Sequence, residues 1–218
     1  MTSSSSGHIA EHSLLLDSDI FIILGGCGLL GTTLTDLGFQ ETCAYRLQAL
    51  PYMLKKGKLK NTYPKTLLNR VDRWTRRIAA ITDAPVSDVD RRMIDATDGI
   101  GENSIQPGEA MLLALVMENP SYYLATGDKR ALKALASTPA LRDIRDAVAG
   151  RVICLETVVS TLILKHGHQS MAEAFEPMVG NHGTLSRIFS SPGRALQVAG
   201  SCRCSLAKTL GEGFLYST

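Results

Sequence analysis

Aromatic residues are scarce in this chain, at 6% of 218 residues with a single tryptophan. There is no CxxC pair among Cys27, Cys43, Cys154, Cys202 and Cys204, and their number is odd. That spacing speaks against a zinc ribbon and against a disulfide-stapled scaffold. Several of these cysteines lie in apolar surroundings, where cysteine behaves as a small hydrophobe, and a reducing, cytoplasmic compartment fits them. Charge of one sign is also lacking. The formal net charge is +2, so the whole-molecule charge names no partner. The most apolar stretch, residues 20–30, is too short to span a bilayer and is rich in glycine. Residues 1–13 carry neither the apolar core of a secretory signal nor the arginines of a transit peptide, so no membrane partner is expected. No internal repeat is visible, and the G-x-S-x-G elbow of serine hydrolases is missing.

With 44% hydrophobic and 20% charged residues the composition is that of an ordinary globular protein, long enough for one domain with its own core. Residues 1–12 read as a polar, flexible leader. Leu14-Leu15-Leu16 is a short apolar run stopped by Asp17, which reads as a buried strand. Residues 20–37 and 40–54 carry apolar positions near helical spacing. Pro107-Gly108-Glu109 ahead of an apolar run is a helix start, and Asn119-Pro120 ends that helix. Residues 121–126 predict a strand, Gly127-Asp128 a turn and residues 129–137 a short helix. Residues 152–155 predict a last buried strand, with a helix over 156–166. This alternation predicts a three-layer α/β/α domain around a mostly parallel sheet of four or five strands. Residues 13–166 form that domain in this reading, and residues 167–218 a helical C-terminal extension.

In a parallel α/β sheet, ligands bind beyond the carboxyl ends of the strands. Asp17 closes the first strand, Asp128 follows the strand over 121–126, and Glu109 opens a helix. A single Asp after a strand is most often a turn former or helix cap. Three acids gathered at one edge would repel one another, and a hard divalent cation with oxygen ligands, Mg²⁺ or Mn²⁺, would relieve that.

The segment LLLDSDIFI (Leu14–Ile22) resembles the opening of PIN-domain nucleases, where a strand ends in Asp-x-Asn/Asp before an apolar helix. PGEAMLLAL (Pro107–Leu115) resembles that family's Gly-Glu-Ala helix start. YLATGDKRALKAL (Tyr123–Leu135) is similar to its Thr-x-Asp-Lys/Arg-x-Leu segment, and RVICLE (Arg151–Glu156) to its last core strand. The resemblance spans roughly residues 13–166. It implies that Asp17, Glu109 and Asp128 hold Mg²⁺ or Mn²⁺, with Asp19 and Glu41 as further candidate ligands and Asp98 and Glu102 after them. It also implies that Thr126 and Lys129 meet phosphate, and that the reaction is metal-assisted hydrolysis of RNA. An inhibitory protein partner and a homodimer are common in that family.

Residues 55–77 carry nine basic side chains against one acid, Asp72. Such a local excess suits several phosphate contacts, with Lys55, Lys56, Arg73, Arg76 and Arg77 as candidates. Tyr63 and Trp74 lie among them and could stack on unpaired bases. The bland alternative is a solvated helix face with Trp74 turned to the core. Two rival functions remain. Gly26-Cys27-Gly28-Leu29-Leu30-Gly31 fits the G-x-G-x-x-G of Rossmann dinucleotide-binding oxidoreductases, although no acid follows about 20 residues on and no Tyr-x-x-x-Lys pair occurs. A PIN-like fold kept as a catalytically weak RNA- or protein-binding module is the other. His166-Gly-His168, His182 and Cys202-Arg-Cys204 fit no common zinc module.

Overall fold

In the computed structural model, residues 12–81, 87–98, 104–211 and 213–216 are described. The predicted leader therefore lies almost wholly outside the described residues, as does Glu102. Five parallel strands make one sheet: β1 (Ser13–Leu16), β2 (Ala44–Arg46), β3 (Ala79–Ala80), β4 (Tyr122–Thr126) and β5 (Val152–Cys154). Their order is β3-β2-β1-β4-β5. The winding reverses between β1 and β4, so the crevice past the carboxyl ends of those two strands is the topological switch point. All four residues of β1 are buried, as expected of a strand covered on both faces. Leu14 and Leu16 enter one core and Leu15 the other.

One face is covered by α1 (Ser18–Cys27), α2 (Leu30–Asp36), α3 (Leu50–Lys55), α4 (Gly57–Thr62), α5 (Lys65–Arg77), α10 (Leu155–His166), α11 (His168–Val179) and α12 (Gly183–Phe189). The other is covered by α6 (Asp88–Thr97), α7 (Pro107–Glu118), α8 (Lys129–Ser137) and α9 (Arg142–Val148). The last helix, α13 (Ala195–Leu210), serves both: Ala195 and Ala199 join the first core, Leu206 and Leu210 the second. The segment after it lies along the free edge of β5, where Tyr216 N–H donates to Val152 O at 2.8 Å and Gly150 N–H to Phe214 O at 2.9 Å. An edge strand so covered cannot template aggregation. The C-terminal helices thus share both cores with residues 14–163.

The sequence expectations fail at two strands. The helix expected over 40–54 is instead a 3-10 turn at Glu41–Cys43, strand β2, and α3 from Leu50. The apolar spacing is near-helical, but β2 is held by its pairing with β1, where Leu15 is in register with Tyr45. β3 has two residues and leaves no pattern to read. The Rossmann fingerprint is also misplaced. Residues 20–24 belong to a helix and Gly26 lies inside it, so no strand delivers the glycines to a helix N-terminus. Gly26 is instead a packing point of α1. A Cβ there would lie 2.6 Å from Leu67 Cδ2 and 3.0 Å from Met178 Cε. Gly26→Ala is expected to destabilise the fold by about 1–3 kcal/mol, the usual penalty of overpacking, read from urea denaturation midpoints. No single helix among the described residues is long and apolar enough to cross a membrane; α1 and α2 pass the test together only as a pair bent by 109°.

Candidate functional site

β1 and β4 run side by side with Leu16 level with Ala125, and Asp17 N–H extends the ladder by donating to Ala125 O at 3.0 Å. This register places Asp17 and Thr126 shoulder to shoulder. Thr126 Oγ1 donates to Asp17 Oδ2 at 2.8 Å and accepts the Asp128 N–H at 3.0 Å. One buried hydroxyl therefore ties the ends of both switch-point strands together.

Each acid also has a local reason for its place. Asp17 is the N-cap of α1, its Oδ1 accepting from Ser18 N–H at 2.6 Å. Asp128 is the N-cap of α8, accepting from the N–H groups of Arg130 and Ala131. Glu109 sits in the first turn of α7, with Oε2 accepting from Gln106 N–H at 2.9 Å. Carboxylates at helix N-termini satisfy orphan donors and complement the helix dipole. The capping reading and the gathering reading therefore both hold: three helices begin at one sheet edge, each with an acid at its start.

The electrostatics record that gathering. Burial pushes the Asp17 carboxyl up to about 6, with Asp19 and Asp128 adding repulsion against the bonds from Thr126 and Ser18. Burial pushes Glu109 up to about 8, and the charges of Asp128 and Asp17 add to it. Asp128 goes the other way. Burial opposes its charge, but bonds from Arg130, from two backbone N–H groups and from Glu109 outweigh that and hold it below the usual range. Glu109 is thus shifted toward its protonated form beside Asp128, which is shifted toward its ionised form. Arg130 Nη2 donates to Asp128 Oδ2 at 2.8 Å and supplies the countercharge.

Among the described residues, no group of three or more His, Cys, Asp or Glu side chains is arranged so as to hold a metal ion. The repulsion and the missing nest are compatible. The acids are close enough to feel one another, yet each is presently held by N–H donors, the Thr126 hydroxyl or Arg130.

The other sequence-selected residues divide. Asp19, in the first turn of α1, bears on Asp17, Tyr63, Arg130 and His182 and so belongs to the rim. Glu41 does not reach the site. It precedes β2, at the opposite sheet edge, and binds Arg77 bidentately at 2.7 and 2.9 Å. Asp98 ends α6 and is exposed. Lys129 is not free for phosphate: it forms a close ion pair with the fully buried Glu156 and donates to Thr184 Oγ1 at 3.3 Å. The basic run is split by α5, whose 13 residues run back from the site edge. Lys55 and Lys65 lie near the acids' end. Arg73 and Arg77 lie at the far end with Trp74, beside the end of α1, and Arg77 stacks 4.3 Å over the Trp74 ring. Arg76 pairs with Asp72 at 2.6 Å, and Lys56 lies over the Tyr52 ring.

Sequence reasoning passed over Glu156, Arg130 and Thr184. Glu156 follows β5 as Asp17 follows β1 and Asp128 follows β4, so position after a buried strand was the available signal. His182, which the sequence marked only as fitting no common zinc module, caps α12; burial lowers its pKa and it bears on Asp19, Lys129 and Glu156. The C-terminal helices therefore wall one side of the site.

The comparisons with known proteins add no name. No family model, no curated protein and no solved structure matches the chain.

Proposed function

We propose that this chain is a divalent-metal-dependent ribonuclease working at the carboxylate edge between β1 and β4. The observation that carries the reading is the convergence of Asp17, Glu109 and Asp128 from three distant segments, at the switch point, with two of them driven toward the protonated form by burial and mutual repulsion. Strong perturbation of acids in a crevice is a mark of functional sites. The donor set is all oxygen and suits Mg²⁺ or Mn²⁺ held by Asp17, Glu109 and Asp128, with Asp19 beside them. When bound, the cation supplies an acidified water and charge stabilisation on the phosphate. The protein's own part is to hold Asp17 through Thr126, to release the Glu109 proton and to free Asp128 from Arg130, whose guanidinium is then available to a phosphate oxygen. The substrate class is RNA. Five unpaired cysteines suit a cytoplasmic setting, and an inhibitory protein partner or a homodimer would belong to the same reading.

A second reading, a binding module with weak catalysis, is favoured by the capping roles that now occupy all three acids. An assay separates the two: incubation of the wild-type chain with mixed single-stranded and structured RNA in Mn²⁺, Mg²⁺ or EDTA. Cleavage in metal and none in EDTA supports the enzyme; intact RNA throughout, with no heat of metal binding by calorimetry, removes it.

Metal binding is expected to release protons, because Asp17 and Glu109 must ionise to ligate. Affinity should rise with pH through about 6 to about 8 and level off above. Calorimetry in buffers of different ionisation enthalpy measures the released protons; a pH-independent affinity with no proton release would contradict the assignment. Stability carries the matching sign. A carboxyl whose folded pKa is raised favours the folded state while protonated, and that advantage is lost as pH rises from its unfolded value through the folded one. The metal-free protein should therefore melt lower at about pH 8.5 than at about pH 5, although Asp128, shifted downward, opposes this at the acid end. Mn²⁺ should restore the loss at high pH.

A further inference from the structure

Beside the carboxylate edge a groove of about 440 Å³ opens between α3, α4 and α5. Its floor is apolar, from Leu54 and Leu68, and Tyr63 forms one wall. Asn69 presents an amide from α5, and Lys55, Lys60 and Lys65 stand around the opening. Asp72, the acid of this lining, is neutralised by Arg76 at 2.6 Å. One hydrogen bond and one longer-range charge interaction link the groove to the acids' edge. Ser18, next to Asp17, donates to Met53 Sδ at 3.8 Å, and Met53 precedes Leu54. Tyr63 feels the Asp19 charge, which together with burial raises its pKa.

We propose that this groove holds one unpaired base of a single-stranded RNA, next to the phosphate that meets the acids. The proposal rests on the ribonuclease reading and names its substrate class. The volume lies within the usual range of small-ligand sites, and an apolar floor with one aromatic wall accepts the face of any base. The Asn69 amide offers both donors and an acceptor to a base edge, which a duplex would keep paired. Three lysines at the mouth match the flanking phosphates. A double helix keeps its bases stacked inside and cannot insert one without opening.

The test uses the full chain in EDTA, so that binding is read without cleavage. Fluorescence anisotropy compares a labelled single strand with a blunt duplex of the same length, for wild type, Asn69→Ala, Tyr63→Leu and Arg142→Ala. Asn69 and Arg142 are exposed, so their variants keep the fold; melting temperatures check Tyr63→Leu. The single strand should bind more tightly than the duplex. Tyr63→Leu should weaken it about 5- to 150-fold, the range of a lost base stack, and Arg142→Ala, on α9 across the sheet from the groove, should leave it unchanged. Asn69→Ala should also change which nucleotide borders the cut when Mn²⁺ is restored. Unchanged affinity and cleavage pattern in both groove variants would overturn the groove and leave the nuclease standing. Tyr63-dependent binding without cleavage in Mn²⁺ would keep the groove and remove the nuclease. Equal binding of duplex and single strand would overturn the groove.

Discussion

Asp128→Asn is expected to abolish metal-dependent RNA cleavage while leaving the protein folded. A metal-bound site contributes several kcal/mol to the transition state, so the expected loss is roughly 10²- to 10⁴-fold at about 1.4 kcal/mol per factor of ten. The choice of Asn follows from the local structure. Asp128 caps α8 through Oδ1, and an amide oxygen caps a helix about as well as a carboxylate. The change removes the charge and the Oδ2 acceptor of Arg130, an ion pair whose exposed arginine makes its loss cheap for stability. Removing that charge should also let the Glu109 pKa fall from about 8 toward the ordinary range, because repulsion from Asp128 is among its causes. Carbon-detected NMR titration of Glu109 reads this independently of activity. Full cleavage by a folded Asp128→Asn protein would remove Asp128 from the machinery. Lost cleavage with an unmoved Glu109 titration would place Asp128 in the machinery but not against Glu109.

Lys129→Met should be among the most destabilising single changes at this edge. Glu156 is fully buried, and its ion-pair partner among the described residues is Lys129. Removing one member of a buried pair strands the other, at a typical cost of about 3–5 kcal/mol. The apolar stem of methionine keeps most of the lysine volume, so the loss reports charge rather than a cavity. Because a buried pair is often no better than a neutral one, Lys129→Met combined with Glu156→Gln should recover most of the stability. Urea denaturation of the two single variants and the double variant completes the cycle. If Lys129→Met alone costs less than about 1 kcal/mol, the range of exposed pairs, the Glu156 charge is compensated by other groups.

Both results bear on how the acids are managed. At one edge the fold assembles Asp17, Glu109, Asp128 and Glu156, with Asp19 on the rim. It balances them by three devices: an environment that favours the protonated form of Glu109, Arg130 on Asp128 and Lys129 on Glu156. The helix N-termini of α1, α7 and α8 complement the three proposed ligands. A divalent cation would take the place of the proton, which is why proton release is the sharpest solution signature of the site.

The sequence by itself determined the elements whose causes are local. The apolar run before Asp17, the proline at the start of α7, Asn119-Pro120 at its end and the Asp128 cap of α8 act over one or two turns of chain. Each lies in the structure within a residue or two of where its signal placed it. The same short-range signals singled out Asp17, Glu109 and Asp128, since an acid after a buried strand or in a first helical turn needs only its neighbours to be recognised. Tertiary structure alone decided the rest. Ala44–Arg46 and Ala79–Ala80 are strands because neighbours far along the chain complete their hydrogen bonds; three and two residues carry no period of their own. Which acids share an edge depends on strand direction. Glu41 precedes its strand and falls to the far side, whereas Glu156 follows its strand and joins the near one. The same geometry divides the basic run, because α5 runs antiparallel to the strands and carries its arginines away from the acids. A rule that spans four residues can place a carboxylate at the end of an element. Only the packing of the whole sheet can say which other carboxylates it will meet there.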